Sequence, residues 1–204
     1  MNVNSVLWYI TELPLSIINE IDNTCSFYDD QVKDSIVIRG SDQTLRNSKN
    51  AWIPTSNWIG GYLWHYIQRA NRENFKYDLT CIDGEAIQYT HYEPGQFYGW
   101  HVDGSITTHH KPKTIASHTT NTFEDDTIIA GEYSRKLSFV VQLSDPEEYS
   151  GGQLQFMDDK TTFFAPKQRG TVIIFDSRIP HRVRKVKSGF RKSLVGWVVG
   201  PRWR

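Results

Sequence analysis

From residue 136 onward the chain breaks into short β-prone runs of similar length. These are Lys136–Leu143, Gly152–Met157, Thr162–Ala165, Thr171–Phe175, Arg182–Val186 and Leu194–Val199. Turn formers stand between them: Asp145-Pro146, Ser150-Gly151-Gly152, Asp158-Asp159, Arg169-Gly170 and Ser188-Gly189. Many short strands punctuated at regular spacing restrict a chain to a sandwich or a barrel. Three more runs, Tyr77–Cys81, Ala86–Tyr92 and Phe97–Val102, extend the pattern upstream. Helical signals are confined to the N-terminal part. Pro14 stands where a helix starts, with Leu15, Ile17, Ile18 and Ile21 after it. Trp58–Asn74 carries an apolar stripe of Ile59, Tyr62, Leu63, Tyr66, Ile67 and Ala70. Val6–Ile10 reads as a strand, and 29–50 as polar loop with a short strand at Ser35–Arg39. The expectation is a mainly β fold with N-terminal helices.

At 204 residues the chain suffices for one domain with a sizeable core. Residues 1–80 read as helical support and 81–204 as the β core. The segment 104–133 is rich in Thr, Ser, His and Lys, has little periodicity and is long for a plain loop, so a lid-like insertion is expected there. With 23 basic and 23 acidic residues, the molecule has no bulk attraction to nucleic acid or membrane. Cys25 and Cys81 form no C-x-x-C and read as free thiols in a reducing compartment. Glu12 interrupts the first apolar run, which also lacks a basic leader, and no window reaches 18 unbroken apolar residues. A cytoplasmic protein without a membrane span is expected.

The stretch FYGWHVDG, residues 97–104, places His101 and Asp103 two apart at the end of a strand, hence on one face. His181 follows the apolar run TVIIFDSRIP and stands at the start of the next strand, at the mouth of the expected barrel. Two histidines and a carboxylate on three corners leave the opposite corners open, the facial arrangement suited to non-haem Fe(II). An H-x-D pair alone is commonly a surface hydrogen-bonded pair, and seven histidines make chance pairing easy. A second feature narrows the choice. Ten residues past His181 comes Arg191, which shares strand parity with Ser193 and Trp197. A guanidinium and a hydroxyl projecting together into an apolar barrel require an anion, and a carboxylate held bidentately meets that need. The competing reading of Arg191 is a solvated member of the basic run RVRKVKSGFRK.

Taken in order, YEPGQFYGWHVD, RKLSFVVQLSDPEEYSGGQLQF and GTVIIFDSRIPHRVRKVKSGFRKSLVGW resemble the Fe(II)/2-oxoglutarate-dependent dioxygenases of the prolyl 4-hydroxylase-like group, in the layout of the PKHD-type hydroxylases. The resemblance covers roughly residues 80–200. It implies a double-stranded β-helix, the jelly roll of cupin-like proteins. It implies His101, Asp103 and His181 as iron ligands and Arg191 as the partner of the distal carboxylate of 2-oxoglutarate. Tyr92 matches a tyrosine lining the co-substrate pocket, although its parity differs from that of His101 across Pro94-Gly95. Gln142 stands where relatives place a tyrosine touching the same carboxylate. Ser193 adds a hydrogen bond, and Trp197 matches a wall of the iron pocket, with core packing as the equal alternative. The implied cofactors are Fe(2+), 2-oxoglutarate and O2, with ascorbate a candidate reductant. The implied reaction is hydroxylation of an aliphatic C–H bond coupled to decarboxylation to succinate and CO2, on a peptidyl or free amino acid with proline first. Tyr92, Tyr98, Trp100 and Trp197 supply aromatic surface near the site. The inserted 104–133 segment departs from the shorter link usual in relatives.

Rival readings carry less. His109, His110 and His118 lack matching cysteines or carboxylates for a second metal. From His181 to Arg204 there are eight Lys/Arg and no acid, which keeps a nucleic-acid-directed, demethylase-type dioxygenase as the alternative. Overall neutrality and strand alternation favour a solvated basic face instead, so nucleic acid is not the expected partner. A non-catalytic jelly roll leaves the triad and Arg191 unexplained, and a zinc hydrolase has no need of Arg191. The oligomeric state is not legible in the sequence.

Overall fold

The computed structural model describes residues 8–35, 45–105 and 133–203. In chain order its elements are β1 (Trp8–Glu12), α1 (Leu15–Ser26), β2 (Lys33–Asp34), β3 (Arg46–Asn47), β4 (Lys49–Pro54), α2 (Trp58–Ala70), β5 (Cys81–Ile82), β6 (Ala86–Tyr92) and β7 (Phe97–His101). They continue with β8 (Tyr133–Gln142), β9 (Tyr149–Gly151), β10 (Leu154–Asp158), β11 (Thr161–Phe164), β12 (Thr171–Asp176), β13 (His181–Val183), β14 (Val186–Gly189) and β15 (Arg191–Pro201). The mainly β expectation with N-terminal helices holds. The expected lid lies, over residues 106–132, outside the described residues.

A major sheet runs β1-β12-β8-β15-β6-β4-β2, with β5 also paired to β15. A minor sheet runs β11-β10-β13-β7-β3, and β14 pairs β9 separately. The ladders are antiparallel. Two packed antiparallel sheets make the jelly roll.

Both faces of the major sheet are covered, which explains runs such as TVIIF in place of strict polar alternation. One face packs on the helices. Ile18, Ile21 and Cys25 of α1 and Ile59, Leu63 and Ile67 of α2 meet Tyr89, Phe139, Val141, Val172, Ile174, Leu194 and Val198. The other face meets the minor sheet: Tyr92, Val140, Ile173 and Phe175 pack with Leu154, Phe156 and Val183. The period of two divides each strand between the two cores. The functional side chains lie in the second.

Several boundaries differ from the sequence expectation. Leu15 is 63 % exposed and lies outside the face that α1 buries through Ile18, Ile21 and Cys25. The second helix ends at Ala70 and passes into a wider turn, Asn71–Phe75, closed by Lys76 in the left-handed region at φ 56. The Asn71 side chain then binds both the N–H and the C=O of Tyr77, so the expected strand Tyr77–Cys81 shrinks to Cys81–Ile82. Lys49–Pro54, whose first two residues fall in the expected 29–50 loop and whose other four belong to no expected element, is a strand held by β6 across Lys49↔His91 to Pro54↔Ala86. The strand expected at Leu194 begins at Arg191, and the run Arg182–Val186 is divided between β13 and β14. A strand lies at Lys33–Asp34, while 36–39 of the expected Ser35–Arg39 strand lie outside the described residues.

Cys25 and Cys81 form no disulfide. Burial pushes the Cys25 thiol up to about 12, consistent with inert core packing. No helix among the described residues is long and apolar enough to cross a membrane.

Gly196 tests the packing between α2 and the major sheet. A Cβ there would sit 2.3 Å from Cζ of the Phe139 ring. Phe139 is fully buried and has nowhere to move. Gly196→Ala is expected to destabilise the protein by about 1–3 kcal/mol through overpacking. Denaturant unfolding measures it, and a midpoint equal to wild type would contradict this packing.

Candidate active site

β7 and β13 are neighbours in the minor sheet, and their register sets His181 opposite His101. Each imidazole uses its Nδ1 on a carbonyl two residues earlier: His101 on Gly99 at 2.8 Å, His181 on Ile179 at 2.9 Å. Each Nδ1 must carry the proton to donate there, so in the neutral imidazole the lone pair lies on Nε2. Those atoms face one carboxylate. Asp103 Oδ1 lies 3.6 Å from His101 Nε2, and Oδ2 lies 3.3 Å from His181 Nε2. The ligand atoms of the three residues all lie within 4.8 Å of one another. Asp103 follows the end of β7, and its N–H and that of Gly104 both donate to the Ser177 carbonyl at 2.9 Å. A Cβ on Gly104 would lie 2.9 Å from the Arg135 carbonyl oxygen, so glycine permits the close approach.

The electrostatics suit a cation. Burial, and then the neighbouring His181, press His101 down to about 4. Burial opposes ionisation of Asp103, yet His181 and His101 outweigh it and hold the carboxyl well below the usual range. Burial would lower His181, but the adjacent Asp103 carboxylate raises it. Two imidazole nitrogens and a buried carboxylate converging with both Nδ1 atoms already committed are a donor set that fits a divalent transition ion.

The second half of the site lies along β8 and β15. Their register pairs Ser138 with Trp197, Val140 with Val195 and Gln142 with Ser193. Ser138 touches the triad, donating to Asp103 Oδ2 at 2.7 Å. Gln142 touches Arg191, accepting from its Nη2 at 2.9 Å, and Ser193 accepts from Nη1 at 3.2 Å. Ser138 and Gln142 are four residues apart on one face, so the two ends of the slot stand about 13 Å apart along the strand.

Arg191 is 1 % exposed. Its Nε has no hydrogen-bond partner, and the groups its guanidinium reaches, Gln142, Ser193 and the Tyr149 hydroxyl, are neutral. Tyr92 lies opposite it on β6, its ring 5.3 Å from the guanidinium carbon. The register thus answers the parity question: Tyr92 faces Arg191. Lys167 adds positive charge nearby: burial, and then Arg191, lower its pKa. The stem of Arg191 lies against Gly152, where an added Cβ would come within 3.1 Å of its Cδ. The basic-run reading of Arg191 as solvated therefore fails, while Arg184, Lys185 and Lys187 in the same run are exposed.

Trp197 sits differently from the others. Its ring packs 4.2 Å from the Arg135 guanidinium carbon and 6.3 Å from Trp52. Arg135 in turn pairs with Asp83 at 2.7 Å. Tyr98 stacks on His101 at 3.5 Å, whereas Trp100 is covered by Arg182 at 4.6 Å. Arg135, Ser138 and Ser177 were missed from the sequence. For Ser138 a signal existed: in RKLSFVVQ it is a polar residue sharing parity with Gln142 inside an apolar run. Arg135 and Ser177 carry no comparable signal.

Residues 87–199, more than half of the chain, match the sequence profile of the 2OG-Fe(II) oxygenase superfamily. The chain belongs to that superfamily. Among curated relatives, the PKHD-type hydroxylase of Synechococcus elongatus is 26 % identical over 154 residues, covering 74 % of this chain and 60 % of the relative. That of Crocosphaera subtropica is 28 % identical over 115 residues, covering 55 % and 42 %. The chain thus spans 60 % and 42 % of the length of these two relatives, less than two thirds of either. Among solved structures, a Pseudomonas putida prolyl-4-hydroxylase superposes with a TM-score of 0.64 at 22 % identity, covering 97 % of this chain and 93 % of the other. A Trichoplax adhaerens prolyl hydroxylase, solved with a peptide fragment of hypoxia inducible factor, gives 0.69 at 16 % identity, covering 95 % and 84 %. These confirm the jelly-roll fold of the oxygenase superfamily expected from the sequence.

Two outcomes follow for the triad. Asp103→Ala is expected to lose the divalent ion, measured by metal analysis after reconstitution; equal occupancy in wild type and mutant would exclude the site. In metal-free protein the His101 ring is expected to titrate near pH 4 by NMR. An unfolded histidine titrates near 6.5, so between these values the unfolded state binds a proton that the folded state refuses. The His101 contribution to stability is therefore intact above about pH 6.5 and lost as pH falls through 4. Its ceiling is on the order of 3 kcal/mol. A His101 midpoint near 6.5 would contradict its burial.

Proposed function

We propose that the chain is an Fe(II)- and 2-oxoglutarate-dependent hydroxylase acting on an aliphatic C–H bond of a peptidyl or free amino acid, with proline first. The observation that carries this reading is Arg191: a fully buried guanidinium with no carboxylate partner among the described residues, standing one slot away from the His101, Asp103 and His181 donors. A buried cation satisfied only by neutral groups calls for an anion. A dicarboxylate with one end at the metal and the other at Arg191 meets both needs.

In this reading His101, Asp103 and His181 hold the iron, and 2-oxoglutarate and O2 are the co-substrates. Iron, when bound, supplies the oxygen activation that side chains cannot perform. The residues of this chain hold and orient. Arg191 fixes the distal carboxylate, assisted by the Ser193 hydroxyl, and Tyr92 lies over the guanidinium. Gln142 keeps the fork in place: its Oε1 accepts from Arg191 while its Nε2 donates to the Pro166 carbonyl at 3.1 Å. Gln142 thereby orients Arg191, while the second N–H of its amide stays available to the carboxylate. Val140 and Val195 line the slot between the two ends and limit water. Trp197 and Arg135 stand beside the triad end, where a substrate would approach.

The substrate class is supported by names and folds. Curated relatives carry the name PKHD-type hydroxylase, and solved neighbours are prolyl hydroxylases, one of them holding a peptide. The nucleic-acid alternative gains nothing from these matches.

The test is succinate formation against 2-oxoglutarate concentration, with iron content followed in parallel. Arg191→Ala is expected to raise the 2-oxoglutarate requirement about 30- to several thousand-fold, since loss of one partner of a buried charged pair costs about 2–5 kcal/mol. Arg191→Lys is expected to be milder yet defective, because a point charge cannot reproduce the fork. Iron content should match wild type in both. An unmoved curve for Arg191→Ala would overturn the assignment. Mass analysis of a peptide library incubated with enzyme, iron and 2-oxoglutarate, scored for added oxygen, tests the substrate class.

A further inference from the structure

We infer that Ser138 and Ser177 act as a positioning pair that fixes the Asp103 carboxylate for metal binding. The inference rests on the metal-site reading above and adds residues that no ligand set includes. Both side chains are fully buried. Ser138 Oγ is 2.7 Å from Asp103 Oδ2, and the two serine oxygens are 2.9 Å apart.

Proton counting sets the direction of this chain. A hydroxyl has one proton to donate and lone pairs with which to accept. The ionised Asp103 can only accept, so the Ser138 proton goes to Oδ2. Ser138 must then accept in its contact with Ser177, and Ser177 donates. The relay therefore runs Ser177 to Ser138 to Asp103, and each hydroxyl rotor is held in one orientation.

Ser177 holds Asp103 twice. Its hydroxyl locks Ser138, and its carbonyl accepts the backbone N–H groups of Asp103 and Gly104. Ser177 is itself anchored, because its own N–H donates to the Lys136 carbonyl at 3.1 Å, two residues before Ser138. Backbone and carboxylate of Asp103 are thus tied to one small unit between β8 and the turn after β12. With Oδ2 engaged by Ser138, Oδ1 is the carboxylate oxygen without a hydroxyl partner. Partners of ligating carboxylates typically carry a 10- to 100-fold effect on metal affinity.

The experiment titrates metal-free protein with Co(II), following affinity by calorimetry and the ligand field by visible absorption. Ser138→Ala is expected to weaken Co(II) binding by roughly 10- to 100-fold and to shift the absorption band at saturating metal. Ser138→Thr, which keeps the hydroxyl, should return both toward wild type. Ser177→Ala should give a smaller, several-fold loss, and the double alanine variant should be no weaker than Ser138→Ala, because Ser177 acts through the Ser138 hydroxyl. Co(II) affinity of Ser138→Ala within about threefold of wild type, with an unshifted band, would overturn the inference. Should that variant fail to fold, Ser177→Ala decides alone: unchanged affinity and band count against the pair. Asp103→Ala separates the two readings. If it still binds Co(II) like wild type, the metal site itself is wrong; if it does not, the serine variants judge the pair.

Discussion

The pairing of β8 with β15 is the constraint on which the site depends. A strand has two faces and a period of two, and here both faces are buried. On one face Leu137, Phe139 and Val141 lock the sheet to the helices. The alternate residues Ser138, Val140 and Gln142 have no freedom to choose another side. A slip by one residue would send the apolar set into the slot and drive Ser138 and Gln142 into the helix-side core. The register that satisfies hydrophobic packing is therefore the register that sets Ser138 at the carboxylate and Gln142 at the guanidinium. Site geometry follows from core packing.

The two ends of the slot have opposite electrostatic characters. At one end a buried carboxylate faces two imidazoles whose protons are turned away toward carbonyls. At the other a buried guanidinium is held by an amide and a hydroxyl. Neither end neutralises the other, because Val140 and Val195 lie between them. The guanidinium is fixed by hydrogen bonds to neutral partners, so its charge remains available. A self-compensating salt bridge would have stabilised the empty protein and left nothing to recognise a ligand.

Much of this was legible in the sequence. Strand repetition and turn chemistry marked the β core from Ala86 to Val199, and parity placed His101 with Asp103 and Arg191 with Ser193. What was not legible depended on three-dimensional register. The side on which Tyr92 lies relative to Arg191 is set by the β6–β15 ladder, which no local pattern reveals. Lys49–Pro54 lacks a strong strand signal because its apolar run is short and ends at Pro54; it is a strand because β6 offers it an edge. Tyr77–Cys81 looked like a strand but lost its ladder to the Asn71 side chain, which took both backbone groups of Tyr77. Ser177 has no motif at all. Its importance lies in a carbonyl and a hydroxyl reaching Asp103, 74 positions earlier in the numbering.

The position of β1 has a kinetic consequence. Trp8–Glu12 pairs with Thr171–Asp176, Trp8 lying against Phe175. The earliest described strand thus waits for a partner made about 160 residues later. Chains dominated by such distant pairings pay loop-closure entropy before any contact rewards them, and they fold slowly. During synthesis the segment bearing β1 must remain without its ladder until β12 emerges, and β12 leads directly into the turn carrying Ser177 and on to His181 at the start of β13. Closure of the sheet edge and completion of the metal-ligand set therefore belong to the same event, so a ribosome-bound chain gains its metal-ligand geometry only once β12 and β13 have both emerged.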